Sequence, residues 1–319
     1  MNKVLVTGAT GFIGKHLVHL LLEQQIKVRV LLRNKDKSSY FANEVETWIG
    51  DLTDPNSLLG SCQGIDTVFH LGGYAHAETK HNDPQKHHDI NFLGTTSIFK
   101  EAKAAHVKRF IFFSSVKAAS STDHEQSSMS PYGLAKRQAE EILLQENNKT
   151  NMHICILRPA LVYGPGWKGN LASMLKAIDR GIFPPLPTVN NRRSMVSVND
   201  ICKAAILAAN TPNANGKIYV VTDGIQYSTD TIDALMREAL GKRAPFLRIP
   251  LFVFKCLASI GDFAERFARL RLPFNSETFS KLFDSAYYQS DCIERELLFQ
   301  PEYNLKSMLP NIIKEYKGL

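Results

Sequence analysis

The sequence predicts an α/β fold, in which a doubly wound parallel sheet is joined to a smaller, mainly helical lobe. Through the first half of the 319-residue chain, uniformly apolar runs alternate with amphipathic helical patterns, as in parallel sheets that helices cover on both faces. After residue 164 this alternation gives way to a loop, a proline-rich stretch and less regular helices. We therefore expect residues 1–164 to form the sheet domain, with 195–224 returning to it, and residues 165–194 and 225–319 to form the lobe.

Each predicted strand or helix is recognised by the pattern of its apolar residues. The predicted strands of the first half are KVLVTG, KVRVLL, VETWI, DTVFHLGG, RFIFFSS and HICILRPALVYG, all short, apolar and rich in β-branched or aromatic residues. The predicted helices between them are KHLVHLLLEQQ, NFLGTTSIFKEAKAAHV and the stretch after Pro131, where apolar residues recur every three or four positions. Further along, the short runs SMVSVND and KIYVVTD frame the helix ICKAAILAAN. This order of elements predicts βαβ units.

Composition and charge exclude several classes of protein. The chain is 44% hydrophobic and 22% charged, with a net charge of +7, which suits a globular protein with an anionic small ligand. No basic run or nucleic-acid-binding motif occurs, so we expect no nucleic-acid partner. The five cysteines are scattered and form no C-x-x-C pair, as in reduced proteins of the cytoplasm. A strand that starts at residue 3 leaves no room for a signal peptide, and we predict a cytoplasmic protein.

The longest apolar stretch is IPLFVFKCLASIG, residues 249–261. It is too short to span a bilayer and contains Lys255. We expect no transmembrane segment and interpret the stretch as a buried helix, with contact to a membrane surface as the alternative.

The segment TGATGFIG joins the first strand to the first helix. Gly8, Gly11 and Gly14 supply a tight turn that brings the backbone and a helix N-terminus close to a pyrophosphate. In this strand–turn–helix context the glycines predict a Rossmann dinucleotide-binding domain; a plain glycine-rich turn is the alternative.

Tyr132 and Lys136 are four residues apart in SPYGLAKRQAEE, directly after Pro131. Proline favours the first position of a helix, so the two side chains share one helical face. A free phenol has a pKa near ~10, and a neighbouring ammonium lowers it towards values useful for acid/base catalysis. The pair therefore indicates a proton-transferring phenol, against the alternative of a packed tyrosine and a solvated lysine.

These segments, together with GDL (50–52), HLGG (70–73), FFSS (112–115) and RPALVYGPG (158–166), resemble the extended short-chain dehydrogenase/reductases. The resemblance is to the nucleotide-sugar epimerase/dehydratase branch, in the manner of UDP-glucose 4-epimerase, and covers the first 200 residues. It implies Ser115, Tyr132 and Lys136 as the catalytic set. The implied cofactor contacts are Gly8, Gly11, Phe12, Ile13, Gly14, Arg33, Asp51, Leu52, Leu71, Gly72, Gly73, Tyr132, Lys136, Pro159 and Val162.

The end of the second strand indicates which dinucleotide binds. Relatives that use NAD usually place an acidic residue there to bind both ribose hydroxyls. This chain has Leu32 and Arg33 instead, and an arginine fits a 2′-phosphate. We predict a preference for NADP(H), with NAD(H) as the alternative.

Two residues reduce the number of possible reactions. Dehydratases of the family carry a carboxylate just after the catalytic serine or threonine, whereas this chain has Val116 and Lys117. We therefore predict no dehydration, but reduction of a UDP-linked 4-keto-6-deoxy sugar for surface polysaccharide such as lipopolysaccharide. The alternative is a 4-epimerase of UDP-glucose or a UDP-N-acetylhexosamine with tightly bound NAD. A non-catalytic dinucleotide sensor and a reductase of steroid- or flavonoid-type ketones are further rivals.

The predicted substrate contacts lie in the second half. By resemblance, Asn170 and Leu171 contact the base and Arg193 grips the diphosphate, with Arg192 assisting, although Ser194 replaces the usual aspartate. The histidine-rich segment 76–89 fits no standard metal site, so we predict no metal and interpret it as a solvated loop near the site. The resemblance also implies a homodimer.

Overall fold

The computed structural model describes every residue except 36, 38–40, 42–43, 75–82, 120–128, 269, 271, 273 and 319. Its strands are β1 (Lys3–Thr7), β2 (Lys27–Leu32), β3 (Glu46–Ile49), β4 (Thr67–His70), β5 (Arg109–Phe113), β6 (His153–Pro159), β7 (Leu161–Tyr163), β8 (Arg193–Ser197), β9 (Lys217–Val221) and β10 (Gln226–Tyr227). Its α-helices are α1 (Phe12–Glu23), α2 (Pro84–His87), α3 (Gly94–Ala104), α4 (Pro131–Asn147), α5 (Asn170–Asp179), α6 (Val198–Asn210), α7 (Thr229–Ala239), α8 (Leu251–Ala268), α9 (Ser276–Phe283), α10 (Asp291–Leu297) and α11 (Leu305–Lys317). A π-helix, His88–Leu93, joins α2 to α3.

Seven strands form one sheet in the order β3-β2-β1-β4-β5-β6-β9. Every neighbouring pair in it is parallel. The chain runs outward from β1 in one direction and then crosses to β4 and continues in the other, which is the doubly wound Rossmann arrangement. The predicted fold class is thereby confirmed.

The chain divides into two compact units. Unit 1 comprises Met1–Ala160, Val198–Val221 and Gln289–Glu302. Unit 2 comprises Leu161–Ser197, Thr222–Tyr288 and Tyr303–Leu319.

The sequence assigned all of 225–319 to the lobe, whereas residues 289–302 belong to unit 1. Side-chain contacts explain the difference, because the hydroxyl of Tyr219 donates a 2.8 Å hydrogen bond to Glu296 of α10 and Lys203 pairs with Glu302. The binding roles assigned to the two units stay predictions.

The sheet of unit 1 is apolar on both faces because its strands are covered on both sides. Leu5, Val68, Phe110 and Ile154 belong to one buried cluster that packs against α3 and α4 side chains such as Phe99. Phe110, Ile111 and Phe112 are consecutive and all fully buried, as expected for a central parallel strand.

Helix α4 is fixed at its start and in its middle. Ser130 caps it, the side-chain oxygen accepting from the N–H of Gly133 at 3.2 Å, and Pro131 is its first residue. One turn beyond Lys136, Glu140 forms a two-pronged ion pair with Arg158 of β6, with N–O distances of 2.9 and 2.5 Å. The cap therefore fixes the start of the segment that carries Tyr132 and Lys136, and the ion pair holds its other end against the sheet.

Unit 2 contains a three-stranded sheet in the order β10-β8-β7 and the helices α5, α7, α8, α9 and α11. Helix α8 packs on α9 through Phe254, whose ring lies 5.2 Å from that of Phe283. Gly261 allows close approach, since a Cβ there would lie 2.0 Å from the Phe274 carbonyl oxygen.

The interpretation of residues 249–261 as a buried helix is wrong for one side of α8. Phe252 and Ile260 are among its exposed residues. In the part of the chain that is described, no helix is long and apolar enough to cross a membrane.

Candidate active site

The glycine-rich turn between β1 and α1 has the shape of a phosphate cradle. Gly8 has a φ of +68°, and a Cβ there would lie 2.7 Å from the backbone of Leu71 and Gly72. A Cβ on Gly14 would lie 2.2 Å from the Gly8 carbonyl oxygen. Among the described residues, no side chain caps the N-terminus of α1, where the N-cap is Gly11. Free N–H groups and the helix dipole there favour an anion, so the turn fits a dinucleotide pyrophosphate.

A buried hydrogen-bond chain sets the end of β4 beside this turn. The Thr95 hydroxyl donates to the Asn91 carbonyl oxygen at 2.7 Å, so its oxygen accepts from Nε2 of His70 at 2.9 Å. Nδ1 of His70 then accepts from the Thr7 hydroxyl at 2.7 Å, and the Thr7 oxygen accepts from the Gly72 N–H at 2.9 Å.

In this series of hydrogen bonds each donor makes one bond. His70 therefore has to be neutral, with its proton on Nε2. Burial, aided by the charge of Lys136, lowers the pKa of His70 well below its usual range. The histidine therefore acts as a fixed connector between the glycine turn and the π-helix.

Asn91 lies in the π-helix and is fully buried. Its Oδ1 accepts from the N–H of Tyr74 at 2.7 Å, and its Nδ2 donates to the Tyr74 carbonyl oxygen at 3.1 Å. A Cβ on Gly73 would lie 2.7 Å from Asn91 Oδ1 and 3.5 Å from Nζ of Lys136. Gly73 therefore has to be a glycine for the Asn91 amide to approach this backbone.

The structure brings Ser115, Tyr132 and Lys136 together. Ser115 follows β5 and caps a short 3₁₀ turn, its oxygen accepting from the Lys117 N–H at 3.2 Å. The side chains of Ser115 and Tyr132 are hydrogen-bonded to each other. Nζ of Lys136 donates to the carbonyl oxygen of Phe113, two residues before Ser115, at 2.8 Å. One strand end and one helix start thus present a hydroxyl, a phenol and an ammonium.

Burial sets the protonation of this group. It raises the pKa of Tyr132 to about 12, although the hydrogen bond to Ser115 lowers it. Burial also lowers the pKa of Lys136 to about 8, while the charge of Glu140 raises it. Burial therefore outweighs the depression of the phenol pKa that the sequence predicts from the neighbouring ammonium. Burial thus favours the neutral form of the Tyr132 phenol.

Two further basic side chains lie beside the phenol. The ring of His87 meets that of Tyr132 edge-on at 5.8 Å, and the Lys117 ammonium is 5.9 Å from the Tyr132 ring centroid. Residues 84–89 are helical and His87 is 2% exposed, so the interpretation of 76–89 as a solvated loop is wrong for this part of the segment. Residues 76–82 of that segment lie outside the described residues. Within the described part, no group of three or more His, Cys, Asp or Glu side chains could hold a metal.

The residues predicted to bind the adenosine half of the cofactor lie at or just after the ends of β2 and β3. Leu32 is buried as the last residue of β2, and Arg33 is exposed directly after it. Asp51 follows β3, and its Oδ1 accepts from the N–H and hydroxyl of Thr53, both at 2.9 Å. Leu52 lies against Gly72, where a Cβ would approach its side chain to 2.7 Å. The adenine and 2′-phosphate roles of these residues stay predictions.

The other predicted ligands are divided between the units. Phe12, Ile13 and Pro159 belong to unit 1, while Val162 belongs to unit 2. The three predicted substrate residues, Asn170, Leu171 and Arg193, also belong to unit 2.

Arg193 has a role inside its own unit. Its Nη2 donates to the carbonyl oxygens of Lys281 and Asp284 at 2.6 and 3.0 Å, and its Nε donates to the Thr229 hydroxyl at 3.2 Å. The guanidinium therefore ties β8 to the end of α9. Arg192 is exposed next to it, and Asn170 is exposed at the first position of α5.

Sequence reasoning missed Thr7, Asn91, Thr95 and Ser114. Asn91 and Thr95 stand on the apolar face of a helical pattern, and a polar residue at such a position is the one signal that pointed to them. Ser114 is buried, and its hydroxyl has no hydrogen-bond partner among the described residues. An orphaned buried hydroxyl beside Ser115 is expensive and is a candidate ligand contact.

Comparison with known proteins agrees with this geometry. Residues 4–222 match the family described as the NAD dependent epimerase/dehydratase family. The chain belongs to this family. The match spans β1 to the end of β9 and so includes the glycine turn, Ser115, Tyr132 and Lys136.

Family members similar in sequence include epimerases and a reductase. UDP-glucose 4-epimerase of Vibrio cholerae is 30% identical over 275 residues, which cover 81% of this chain and 82% of that protein. The N-acetyl-alpha-D-glucosaminyl-diphospho-ditrans,octacis-undecaprenol 4-epimerase of Escherichia coli O157:H7 is 29% identical over 262 residues, covering 78% and 76%. Ceramide reductase of Caulobacter vibrioides is 30% identical over 251 residues, covering 77% and 73%.

Several proteins of known structure share the fold. UDP-glucose 4-epimerase from Thermotoga maritima with UDP-glucose superposes with a TM-score of 0.75 at 21% identity and covers 99% of each chain. The Bordetella bronchiseptica enzyme WbmF in complex with NAD+ and UDP superposes with a TM-score of 0.75 at 22% identity, covering 99% of this chain and 92% of that one.

Proposed function

We propose that the chain is an NADPH-dependent reductase of a 4-keto sugar carried on UDP, and that Tyr132 is its proton donor. The observation that carries the proposal is the group that Ser115, Tyr132 and Lys136 form where β5 ends and α4 begins. Reduction of a ketone needs a proton donor in its chemical step, and the Tyr132 phenol, whose pKa burial raises, fits that role.

In this reaction the chain's own groups orient the carbonyl and protonate its oxygen. When bound, the nicotinamide supplies the hydride that reaches the carbonyl carbon. The Ser115 hydroxyl donates to the carbonyl oxygen and holds the carbon in position. The Tyr132 hydroxyl gives its proton to that oxygen as negative charge develops on it, and the Lys136 ammonium stabilises the phenolate that is left.

Two further features support reduction. Val116 and Lys117 occupy the positions where a dehydratase needs a carboxylate, and the Lys117 ammonium lies near the Tyr132 ring. At the end of β2, the exposed Arg33 could pair with a 2′-phosphate. The buried Leu32 stands there in place of an acidic residue that would bind the ribose hydroxyls of NAD.

The second candidate function is a UDP-sugar 4-epimerase, which the relatives from Vibrio cholerae and Escherichia coli favour through their printed activities. Such an enzyme would retain its NAD and regenerate it in each turnover. A homodimer is part of both proposals.

One experiment separates the two. The purified protein is incubated with NADPH and a UDP-4-keto-6-deoxyhexosamine, and separately with UDP-glucose or UDP-N-acetylglucosamine without added cofactor. We expect stoichiometric NADPH consumption in the first reaction and no 4-epimer in the second. A protein that purifies with NAD and interconverts 4-epimers without added cofactor would overturn the reductase proposal in favour of the epimerase.

A further inference from the structure

Helix α8 carries an apolar stripe on its outer side. Phe252, Cys256, Ile260, Phe263 and Phe267 are all exposed. At 100° per residue these five side chains fall within an arc of about 80°, and they extend over about 22 Å of helix. The stripe is thus one continuous surface of three phenylalanines, an isoleucine and a cysteine.

The opposite side of the same helix is already packed. Phe254, Ala258 and Gly261 are buried against the rest of unit 2, with Phe254 against Phe274 and Phe283 of the α9 region. Helix α8 therefore has two apolar sides, of which one forms the core of its unit. Helices at the protein surface normally have a polar outer side, so the exposed apolar stripe indicates a binding surface.

Charge identifies the partner. Residues 242–271 contain seven lysines and arginines against two acidic residues, a net charge of +5, whereas the whole chain carries +7. Lys255 and Arg266 lie on α8 along one edge of the stripe, and both are exposed. Arg248, just before the helix, also contacts Thr188 and Asp230 within unit 2.

We propose that the α8 stripe docks on an anionic phospholipid surface, with the helix lying in the plane of the interface. Aromatic residues on one side and basic residues at its edge are the combination that binds helices to such surfaces. A second copy of the chain is a poorer occupant, because a two-fold interface at this stripe would bring two strongly basic segments together.

Two further exposed apolar residues precede the helix in sequence. Phe246 and Leu247, in the loop that leads into α8, are 101% and 75% exposed. Together with the stripe they exceed the scattered single apolar residues that are normal on protein surfaces.

The native cysteines supply a direct test. Cys256 lies in the stripe and Cys292 lies in unit 1, and both are exposed. An NBD fluorophore is attached to Cys256 in a Cys292→Ser protein and, as the matched control, to Cys292 in a Cys256→Ser protein. With vesicles of phosphatidylcholine containing about one-third phosphatidylglycerol, we expect a blue shift and quenching by spin-labelled acyl chains at Cys256 only. An unchanged spectrum at Cys256 would overturn the proposal.

Sedimentation with the same vesicles separates the apolar from the charged contribution. Phe263→Ser/Phe267→Ser should lower the partition coefficient about tenfold or more. Lys255→Glu/Arg266→Glu should do so with the anionic vesicles but not with pure phosphatidylcholine. The matched controls, Leu59→Ser/Ile182→Ser and Lys108→Glu/Lys314→Glu, change exposed residues elsewhere and should bind like wild type.

Sedimentation equilibrium without lipid tests the rival occupant. If Phe263→Ser/Phe267→Ser converts a dimer to a monomer, a second copy covers the stripe and the proposal fails. Should that variant not fold, the Cys256 fluorophore still decides the question, because it leaves the phenylalanines intact.

Discussion

The Lys136 ammonium donates a 2.8 Å hydrogen bond to the carbonyl oxygen of Phe113, the last residue of β5. It also lies 4.5 Å from the centroid of the Phe112 ring. A cation in this position is almost completely removed from water, and burial lowers its pKa to about 8. Burying a charged lysine costs stability, so this residue is expected to be present for function.

Replacing Lys136 with methionine should therefore stabilise the protein while abolishing activity. The unfolded lysine titrates near 10.5 and the folded one near 8, so the folded state binds the proton less tightly. The resulting destabilisation is complete below pH 8 and disappears as the pH rises to 10.5. We expect Lys136→Met to raise the free energy of unfolding by about 1–3 kcal/mol at pH 7, after the loss of the hydrogen bond to Phe113 is subtracted.

Urea unfolding at several pH values measures this effect. The gain should shrink steadily between pH 8 and 10.5, and Lys108→Met, at an exposed position, should show no such trend. A Lys136→Met protein that is less stable than wild type at pH 7 would contradict the interpretation.

The same pKa predicts the shape of the activity profile. If the ammonium stabilises the phenolate, kcat/KM should decline above pH 8 as Lys136 loses its proton. Lys136→Arg keeps its charge throughout this range, so its profile should lack this decline, although its maximum rate should be lower. A wild-type profile that stays flat from pH 7 to 9.5 would exclude Lys136 from the titrating group.

Tyr132 is tested by removing one oxygen atom. Tyr132→Phe keeps the ring that meets His87 edge-on but loses the proton donor, and turnover should decline by about 10²–10⁴-fold. Cofactor binding, followed by quenching of protein fluorescence, should change little. Tyr287→Phe, at an exposed site in unit 2, serves as the control. Activity of Tyr132→Phe within a few-fold of wild type would remove this residue from the mechanism.

Local features of the chain were accessible to sequence reasoning. The glycine turn, Pro131 at the start of α4 and the four-residue spacing of Tyr132 and Lys136 depend on neighbours within a few residues, and the structure contains each as predicted. The parallel sheet followed from uniformly apolar strands, because coverage on both faces requires them.

Protonation and buried networks were not accessible in the same way. The pKa of Tyr132 and Lys136 depends on burial by segments such as β5, which are distant in sequence. The bond between Thr7 and His70 joins residues 63 positions apart. The outer side of α8 was misinterpreted because an apolar run shows hydrophobicity but not whether a neighbour covers it.

The proposed preference for NADPH is tested at Arg33. A guanidinium paired with a 2′-phosphate should contribute about 1.5–3 kcal/mol, or roughly tenfold to a hundredfold preference for NADPH over NADH. Arg33→Ala should weaken NADPH and leave NADH nearly unchanged, whereas Leu32→Asp should shift the preference towards NADH. Calorimetric titration of both cofactors gives the ratio, and Lys108→Ala controls for the loss of a surface charge. Equal losses for NADPH and NADH in Arg33→Ala would show that Arg33 does not read the 2′-phosphate.

Arg193 and Arg192 are adjacent but differ in their surroundings, which makes them a matched pair. Three N–H groups of Arg193, on Nε and Nη2, are bound to Thr229, Lys281 and Asp284. Its two Nη1 N–H groups take no part in these bonds and are the ones a diphosphate would use. Arg193→Ala should therefore lower both the melting temperature and the affinity for UDP, the latter about tenfold to a hundredfold.

Arg192→Ala is the comparison, because its side chain is exposed; it should leave the melting temperature close to wild type and lower the affinity for UDP less than Arg193→Ala does. Calorimetry with UDP, well below the melting temperature of each variant, separates binding from unfolding. The affinity of Arg193→Ala for UDP should also depend less on salt concentration than the affinity of wild type does, because one cation no longer faces the diphosphate. If Arg193→Ala melts earlier yet binds UDP normally, while Arg192→Ala loses UDP, then Arg193 only ties β8 to the end of α9 and Arg192 is the diphosphate ligand.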